Sequence, residues 1–479
     1  MDARGLQLTP IDQIANLPVA NSSYVLELSS NPGASRTIYL DFDGHVQRSW
    51  TRSDVTRQQT FLNIVSASFD TDDKAGFSVV EQAQIREIWS RVAEDFAPFD
   101  VNVTTVLPSA IKTNDRRVVI GGSDFVTGTQ RSGYSSSLSN VVYVFSQEII
   151  PMTHDNEGTA ANLSASIATT ASHEVGHTFG LDHAETYNAA GTKTADYSVG
   201  DAQWTPIMGN NLSVDKTAWS TNAVVGAETY PWSSKVQYIH QNQLEILGST
   251  LGSRTDEAGD TSKTARNFPT IKVASTYKYG EFKGIISTPS DVDWFRFDTT
   301  GGTNSISIQT NEAGPNLEVN MQIWKATYVY LGIRNYREVL VPVANNVCNY
   351  FGLSTSLSAG TYYVSIQGNN TAAIEGLYAN VGQYTLAISA ASSQATPPVV
   401  FDAKQSSLAQ RSIDMPIDKS AFDVANSIQS PAVSAENLKN AAIPTSANRI
   451  AESAKSLPKS SSLSTKVTDN FFASDFSLI

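Results

Sequence analysis

The chain has 479 residues, which exceeds one ordinary hydrophobic core and predicts two or three domains. Its net charge of −13 argues against nucleic acid or an anionic membrane surface as a partner. The sequence contains no apolar run of about 18 residues, so it predicts no membrane span. The start, MDARGLQLTPIDQ, lacks an apolar stretch of signal-peptide type, and the single cysteine, Cys348, excludes a disulfide within the chain.

Residues 1–35 form a mixed N-terminal segment, and residues 36–250 predict one domain of strands and helices. Runs of β-branched and aromatic residues predict strands at 36–44, 101–106, 116–122 and 140–146. Apolar residues at helical spacing predict helices at 79–96 and 161–180. The small, polar stretch SGYSSSLS at 132–139 fits a short edge strand or a loop. This order predicts an α/β fold, a mixed sheet that carries two helices.

The second half of the chain changes character after a third predicted helix at 233–249. Short strands separated by Gly, Asn and Pro follow from about 271, which predicts an all-β sandwich domain over 254–391. Residues 392–479 are rich in Ser, Ala, Pro and Lys and poor in aromatic residues. This composition predicts a low-complexity, disordered tail.

The stretch HEVGHTFGLDH at 173–183 holds three of the six histidines of the chain. His173 and His177 are four residues apart on a predicted helix, so both imidazoles point the same way and can hold one Zn²⁺. Glu174 is rotated by about 100° from His173 and can take a proton from a metal-bound water. HExxH alone is a weak pattern, whereas HExxHxxGxxH fixes five positions in eleven.

His183 is the candidate third ligand, because a catalytic zinc usually has three protein ligands and one open position. On a continued helix His183 would lie about 9 Å beyond His177, too far to share the ion. Gly180 accepts a positive φ without a Cβ penalty, so it can end the helix and turn the chain back. The alternative is a helix with surface histidines and a glycine cap.

The string resembles the signature of the metzincin zinc endopeptidases, which is followed by a methionine-containing turn. TPIMGN at 205–210 supplies that turn, and the resemblance implies that Met208 supports the zinc ligands from below. It also implies that a protein or peptide substrate binds in extended form along the edge strand, beside 132–139. Asn210 stands where several metzincins carry a tyrosine that binds the oxyanion, and Tyr230 is the candidate to replace it.

IYLDFDGH and WSRVAEDFAPFDVNVTT resemble bacterial secreted metalloproteases that carry a trailing β-domain. Residues 254–391 resemble the bacterial pre-peptidase C-terminal domain through SDVDWFRFDT, SAGTYYVSIQG and GQYTLAIS. This resemblance implies an exported, extracellular protein. Such trailing domains are often removed or aid binding to insoluble substrate.

Three further groups of residues have both a metal-binding and a structural interpretation. Asp70, Asp72 and Asp73 resemble a calcium loop in composition, but a solvated loop is favoured because a suitable twelfth-position Glu falls in the helix. Asp291 and Asp293 fit Ca²⁺ or the cap of a turn, and the turn is favoured. His45 follows two carboxylates and fits a second metal site, a substrate-cleft residue or a polar strand end, and the strand end is favoured.

The sequence therefore predicts a secreted zinc endopeptidase in which His173, His177 and His183 bind the metal. Glu174 would act as general base toward water and then as proton donor to the leaving amine. The alternative is a secreted adhesion or binding protein whose zinc domain is structural or inactive. The oligomeric state is open.

Overall fold

A computed structural model of the chain describes most of the first 391 residues. The described ranges are 26–53, 58–128, 130–154, 160–187, 192–198, 200, 204–210, 216–221, 241–269, 272–274, 277–332, 335–347, 350–369 and 380–391. The predicted tail at 392–479 and most of the N-terminal segment lie outside these ranges.

Within these ranges the chain is mostly β-sheet with four helices. The helices are α1 (Val79–Asp95), α2 (Ser146–His154), α3 (Ala160–Thr178) and α4 (Gln243–Leu251). The first strands are β1 (Arg36–Asp41), β2 (His45–Ser53), β3 (Gln58–Ser66), β4 (Val101–Thr104), β5 (Arg116–Ile120), β6 (Gly133–Tyr134), β7 (Val141–Val144), β8 (Thr186–Tyr187), β9 (Lys193–Ala195), β10 (Thr205–Pro206) and β11 (Thr217–Ala218). The later strands are β12 (Arg266–Asn267), β13 (Lys272–Ala274), β14 (Tyr277–Ile286), β15 (Val292–Thr299), β16 (Gly302–Thr310), β17 (Val319–Gly332), β18 (Asn335–Val347), β19 (Tyr350–Leu357), β20 (Gly360–Gly368) and β21 (Gly382–Ala391).

The first sheet has the strand order β4-β1-β5-β7-β6. Four of its strands are parallel, and the two-residue strand β6 pairs antiparallel to β7 at one edge. Helices α1 and α3 cover one face of the sheet, where Ile38 and Val118 pack against Ile88 and Ile167. The β2–β3 hairpin covers the other face with Trp50 and Phe61. The sheet is therefore the middle layer of three.

The second region is a β-sandwich of two five-stranded sheets, β12-β15-β20-β17-β18 and β13-β14-β21-β16-β19. Buried and half-buried residues alternate along β15, as expected of a strand with one face toward a core. Phe295 and Val364 from one sheet meet Ile306 and Leu386 from the other in that core. The prediction of an all-β sandwich is confirmed.

Separate hydrophobic clusters form the cores of the α/β region and the β-sandwich, and Leu244 of α4 packs against both. The chain between them is tied back to the end of α1. The Asp100 amide donates to the Gly252 carbonyl at 2.9 Å, and the Arg254 amide donates to the Pro98 carbonyl at 2.9 Å. The two regions belong to one compact unit.

Several features of the α/β region differ from the sequence predictions, among them helix α2, which was not predicted. The third helix begins at Gln243, because Asn242 is extended and its side chain accepts from the Glu245 amide as an N-cap. The predicted start of this helix, 233–240, lies outside the described residues. The β2–β3 hairpin was not predicted, since its strands mix exposed polar residues with few apolar ones. Among the described residues, no helix combines the length and apolar character needed to cross a membrane.

Candidate metal centre and active site

Helix α3 carries the first two histidines of the motif and ends in a glycine cap. The Leu181 amide donates to the Gly176 carbonyl at 3.1 Å, and the Gly180 amide donates to the His177 carbonyl at 3.0 Å. This pair of bonds is a Schellman motif, whose left-handed position is filled by Gly180 with φ of 93°. The helix therefore stops where the spacing of the histidines requires it to stop.

The turn at Gly180 brings the three histidine rings together. His177 Nε2 lies 3.1 Å from His173 Nε2 and 3.1 Å from His183 Nε2. Two nitrogens that bind one Zn²⁺ at 2.0–2.1 Å lie at most about 4.2 Å apart, so both distances are compatible with a shared ion. The predicted juxtaposition of the three side chains is present in the structure.

Two backbone carbonyls set the protonation of the rings. His173 Nδ1 donates to the Ile207 carbonyl at 2.8 Å, and His177 Nδ1 donates to the Leu181 carbonyl at 2.7 Å. A carbonyl only accepts, so each Nδ1 carries the proton and the Nε2 of each neutral ring presents a lone pair. Neither of these two Nε2 atoms carries a proton, so their lone pairs repel each other at 3.1 Å. A cation bound by both atoms would remove that repulsion. The donor set therefore fits a divalent metal of the zinc type.

Burial keeps the histidines neutral. It lowers the pKa of His173 well below its usual value, with the nearby His177 as a second cause. Burial lowers the pKa of His177 to about 4. The pKa of His183 is lowered as well, by burial first and by the other two imidazoles next. At neutral pH all three rings are in the form that binds metal.

Glu174 is buried beside the edge strand β6, with 2% of its surface exposed. The Ser135 hydroxyl donates to Glu174 Oε2 at 2.7 Å. Gly133 lets the strand come this close, since a Cβ there would lie 2.9 Å from Glu174 Cγ. Burial raises the pKa of Glu174 to about 7, while the Ser135 hydroxyl and the Arg131 guanidinium oppose that rise. A carboxyl with such a pKa can both take and return a proton near neutral pH.

Met208 is fully buried. Its sulfur lies against Gly176, where a Cβ would be 2.8 Å from Met208 Sδ. The Ala184 amide donates to the Met208 carbonyl at 2.7 Å, which ties the turn to the residue after His183. The sequence singled out Met208 and Gly180 but not Gly176, whose lack of a side chain makes room for the sulfur.

One aromatic residue lies beside His183. The Tyr197 ring packs against the His183 ring with centroids 4.2 Å apart. The sequence did not indicate Tyr197, because no motif spacing links it to the histidines. The Asn210 amide donates to the Ser198 carbonyl at 2.9 Å. Tyr230, predicted as an oxyanion helper, lies outside the described residues.

A second candidate metal centre lies in the β-sandwich, where carboxylate oxygens of Asp256, Asp291 and Asp293 converge. Asp291 caps a turn as predicted, since its Oδ2 accepts from the Ser287 amide at 2.6 Å. The turn interpretation is wrong for Asp293, which lies inside strand β15 with 1% of its surface exposed. The Tyr384 hydroxyl donates to its Oδ2, and no described residue donates to its buried Oδ1.

Asp70, Asp72 and Glu81 form another acidic group. Their oxygens accept from nearby amides, among them Thr71 to Glu81 Oε1 at 2.7 Å, and Lys74 pairs with Asp72 at 2.8 Å. These contacts favour the predicted solvated loop over a calcium loop. The polar interpretation of His45 is likewise favoured, because its Nδ1 lies 2.7 Å from Arg117 Nη1.

No protein-family model and no curated protein matches this chain. Among solved structures, the pre-peptidase C-terminal domain of a collagenase from Bacillus anthracis is 17% identical over 28% of this chain and 98% of its own, with a TM-score of 0.17. The Yersinia pseudotuberculosis-derived mitogen is 13% identical over 25% of this chain and 97% of its own, with a TM-score of 0.17. The Aeromonas hydrophila inhibitor PliG of g-type lysozyme, a periplasmic protein, is 14% identical over 26% of this chain and 95% of its own, with a TM-score of 0.18. Similarities this low assign no function to the chain.

Proposed function

We propose that the protein is a zinc-dependent endopeptidase of the metzincin type. The observation that carries the proposal is the convergence of three histidine Nε2 atoms, two of them fixed as lone-pair donors by backbone carbonyls. Glu174 comes directly after the first of these histidines, and the full HExxHxxGxxH string is present with its methionine turn.

His173, His177 and His183 hold the metal in this proposal. A zinc ion in that site would supply Lewis acidity and lower the pKa of a bound water to about 7. Glu174 accepts the proton of the attacking water and then donates it to the leaving amine. Its raised pKa of about 7 suits both steps. Ser135 holds the carboxylate in place during this exchange.

The substrate is a protein or peptide that binds in extended form along β6. This strand is the antiparallel edge of the first sheet, and Ser135, which follows β6 directly, contacts Glu174. An extended peptide that pairs with an edge strand gains main-chain hydrogen bonds without a specific side chain. The small residues of this segment are therefore adequate for binding.

We propose that the protein acts outside the cell, because its sequence resembles bacterial secreted peptidases that carry a pre-peptidase C-terminal domain. Support comes from SDVDWFRFDT and related strands and from the presence of a β-sandwich after the α/β region. The alternative function is a secreted binding protein whose zinc domain is structural. The intact Glu174, which a structural zinc site does not need, favours the enzyme.

We also propose that Asp256, Asp291 and Asp293 bind Ca²⁺. A buried carboxylate oxygen with no described donor is costly, and Ca²⁺ binds carboxylate oxygens at 2.3–2.6 Å. Ca²⁺ bound there would stabilise the β-sandwich rather than take part in hydrolysis.

Replacement of Glu174 by Gln tests the enzymatic function. We expect Glu174→Gln to retain one zinc per chain and to lose peptide cleavage by 10³-fold or more, roughly 4 kcal/mol of transition-state stabilisation. Zinc content by atomic absorption and cleavage of a quenched fluorescent peptide library provide the two readouts. Glu338→Gln is the matched control, since Glu338 is exposed on the β-sandwich. Equal cleavage by both variants would show that Glu174 is not the base, and a chelator-resistant activity would exclude zinc.

A further inference from the structure

Two consecutive carboxylates at the end of α1 lie between the metal helix and the β-sandwich. Glu94 and Asp95 are both buried. Neither carboxylate takes part in the proposed hydrolysis. A buried carboxylate is tolerated only where donors satisfy it, so the origin of these donors shows what the pair connects.

Asp95 is joined to the metal helix directly. The Ser172 hydroxyl donates to Asp95 Oδ2 at 2.5 Å. Ser172 is fully buried in α3 and immediately precedes His173. This bond therefore fixes the helix at the residue before the first metal ligand.

Asp95 is joined to the same histidine by a second route. The Trp219 indole donates to the Asp95 carbonyl at 2.6 Å, and the Thr217 hydroxyl donates to Asp95 Oδ1 at 3.2 Å. Thr217 begins strand β11. The carbonyl of Ala218, the second residue of this strand, accepts from the Ile207 amide at 3.0 Å. The Ile207 carbonyl is the acceptor for His173 Nδ1. Asp95 thus holds both the backbone that carries His173 and the carbonyl that orients its ring.

The remaining donors come from the β-sandwich. The Asn316 side chain donates to Asp95 Oδ1 at 2.7 Å, and the Asn316 amide donates to Glu94 Oε1 at 3.3 Å. Gln383 donates to Glu94 from its amide at 3.3 Å and from its side chain at 3.0 Å. Both carboxylates therefore depend on the β-sandwich for hydrogen bonds.

The fit at this contact is also steric. Gly382 lies so close to Glu94 that a Cβ would overlap Oε1. A Cβ at Gly314 would overlap the Arg91 guanidinium in the same way. Both side chains are almost fully buried, and this burial raises the pKa of Glu94 to about 7 and that of Asp95 to about 6.

We propose that the β-sandwich supports the metal centre, because Asn316 fixes Asp95 and Asp95 positions His173. Asp95 and Asn316 are positioning residues that do not touch substrate or metal. The inference rests on the proposed function of the three histidines as the zinc site. It implies that displacement of the β-sandwich lowers the affinity for zinc. If the β-sandwich were instead a dispensable trailing domain, its displacement would leave the affinity for zinc unchanged.

The test uses the full chain and compares four variants with the wild type. Asn316→Ala removes the donor to Asp95, and Gly382→Ala forces the β-sandwich away from Glu94. Ser172→Ala removes the bond to the metal helix and leaves the β-sandwich untouched. Gly360→Ala is the matched control, because Gly360 has φ of 150° against 153° at Gly382, and its Cβ would meet nothing closer than 3.7 Å.

Zinc dissociation constants from competition with a chromogenic chelator are the main readout, with thermal unfolding of each metal-free chain alongside. We expect the first three variants to bind zinc roughly 10-fold more weakly, as for other residues that support metal ligands. At saturating zinc we expect a lower kcat and an unchanged KM, with kcat calculated for the folded, zinc-loaded fraction so that a loss of general stability does not contribute. Gly360→Ala is expected to match the wild type.

Each outcome decides one question. Wild-type zinc affinity in Asn316→Ala, Gly382→Ala and Ser172→Ala overturns the positioning role while the zinc site stands. A wild-type chain that binds no zinc overturns the proposed function and this inference together. If Asn316→Ala fails to fold, the comparison of Gly382→Ala with Gly360→Ala and the Ser172→Ala result decide the proposal.

Discussion

At the scale of single residues, the candidate site depends on neighbours that position each reactive atom. Glu174 is buried, and burial raises its pKa to about 7. The Ser135 hydroxyl donates to Glu174 Oε2, and the Ser135 backbone also hydrogen-bonds this carboxyl, so Ser135 fixes its orientation. Gly133 and Gly176 lack a side chain and so leave room for their neighbours. Gly133 leaves room for Glu174, and Gly176 leaves room for Met208.

Replacement of Ser135 by Ala removes one hydrogen bond to a charged group, which contributes about 1.5–3 kcal/mol. We expect Ser135→Ala to lower kcat about 10-fold or more, because Glu174 loses one of the hydrogen bonds that fix its orientation. KM and zinc affinity are expected to stay unchanged, since Ser135 contacts no metal ligand among the described hydrogen bonds. Steady-state kinetics on a peptide substrate with zinc titration check this.

Ser137→Ala is the matched control, because Ser137 is exposed two residues further along the same segment. A drop in kcat of equal size in both variants would assign the effect to the segment rather than to the hydrogen bond. An unchanged kcat in Ser135→Ala would show that Glu174 is positioned without it.

At the scale of elements, the end of α3 decides whether three histidines can share a metal. Gly180 has φ of 93°, in the region that a residue with a Cβ adopts at a cost of about 1–2 kcal/mol. No atom lies within 4 Å of a Cβ built at this position, so the cost comes from the backbone alone. Gln241 reinforces the turn by donating to Asp182 Oδ2 at 2.8 Å.

We expect Gly180→Ala to destabilise the metal-bound protein by about 1–2 kcal/mol and to weaken zinc binding, because His183 loses its approach. Gly180→Asn is expected to recover part of the loss, since Asn enters the left-handed region more readily. Chemical denaturation with and without zinc gives both quantities. Equal stability of Gly180→Ala and the wild type would contradict the role of the glycine.

The sequence predicted this element because its requirements are local. Spacing of four residues places His173 and His177 on one face, and a glycine supplies the cap. The hairpin β2–β3 has no comparable signal, since its fold depends on Trp50 packing against Tyr143 across the sheet. Asp293 was misread for the same reason, because its alternating strand β15 buries it next to Tyr384, 91 residues away.

At the scale of the whole molecule, the sequence predicted two structural regions but not how they are joined. Glu94 and Asp95 look like ordinary surface acids at the end of an amphipathic helix. Their burial follows from the β-sandwich, whose residues Asn316 and Gln383 are more than 200 positions away. Contacts of such long range leave no pattern in a local window. Local sequence patterns therefore do not predict how the two regions are joined.

The buried carboxyl of Asp293 makes the stability of the β-sandwich depend on pH. Burial raises the pKa of Asp293 to about 8, with the nearby Asp291 adding to the rise. The unfolded chain loses this proton near pH 3.8, whereas the folded chain keeps it to about pH 8. Asp293 therefore contributes stability that is fully present below pH 3.8 and is lost as the pH rises through about 8.

Ca²⁺ should reverse that loss, because it binds the ionised carboxylate that burial disfavours. At 100 times its dissociation constant it would stabilise the fold by about 2.7 kcal/mol, which corresponds to a rise in Tm of roughly 3 °C for a cooperative unit of about 400 residues. We expect the rise to be larger at pH 8 than at pH 6 and to be absent in Asp293→Asn. Differential scanning calorimetry of the zinc-loaded chain with Ca²⁺ or Mg²⁺ measures it. Asp72→Asn is the matched control in the other acidic group, and a calcium effect that vanishes there but persists in Asp293→Asn would move the site to the loop before α1.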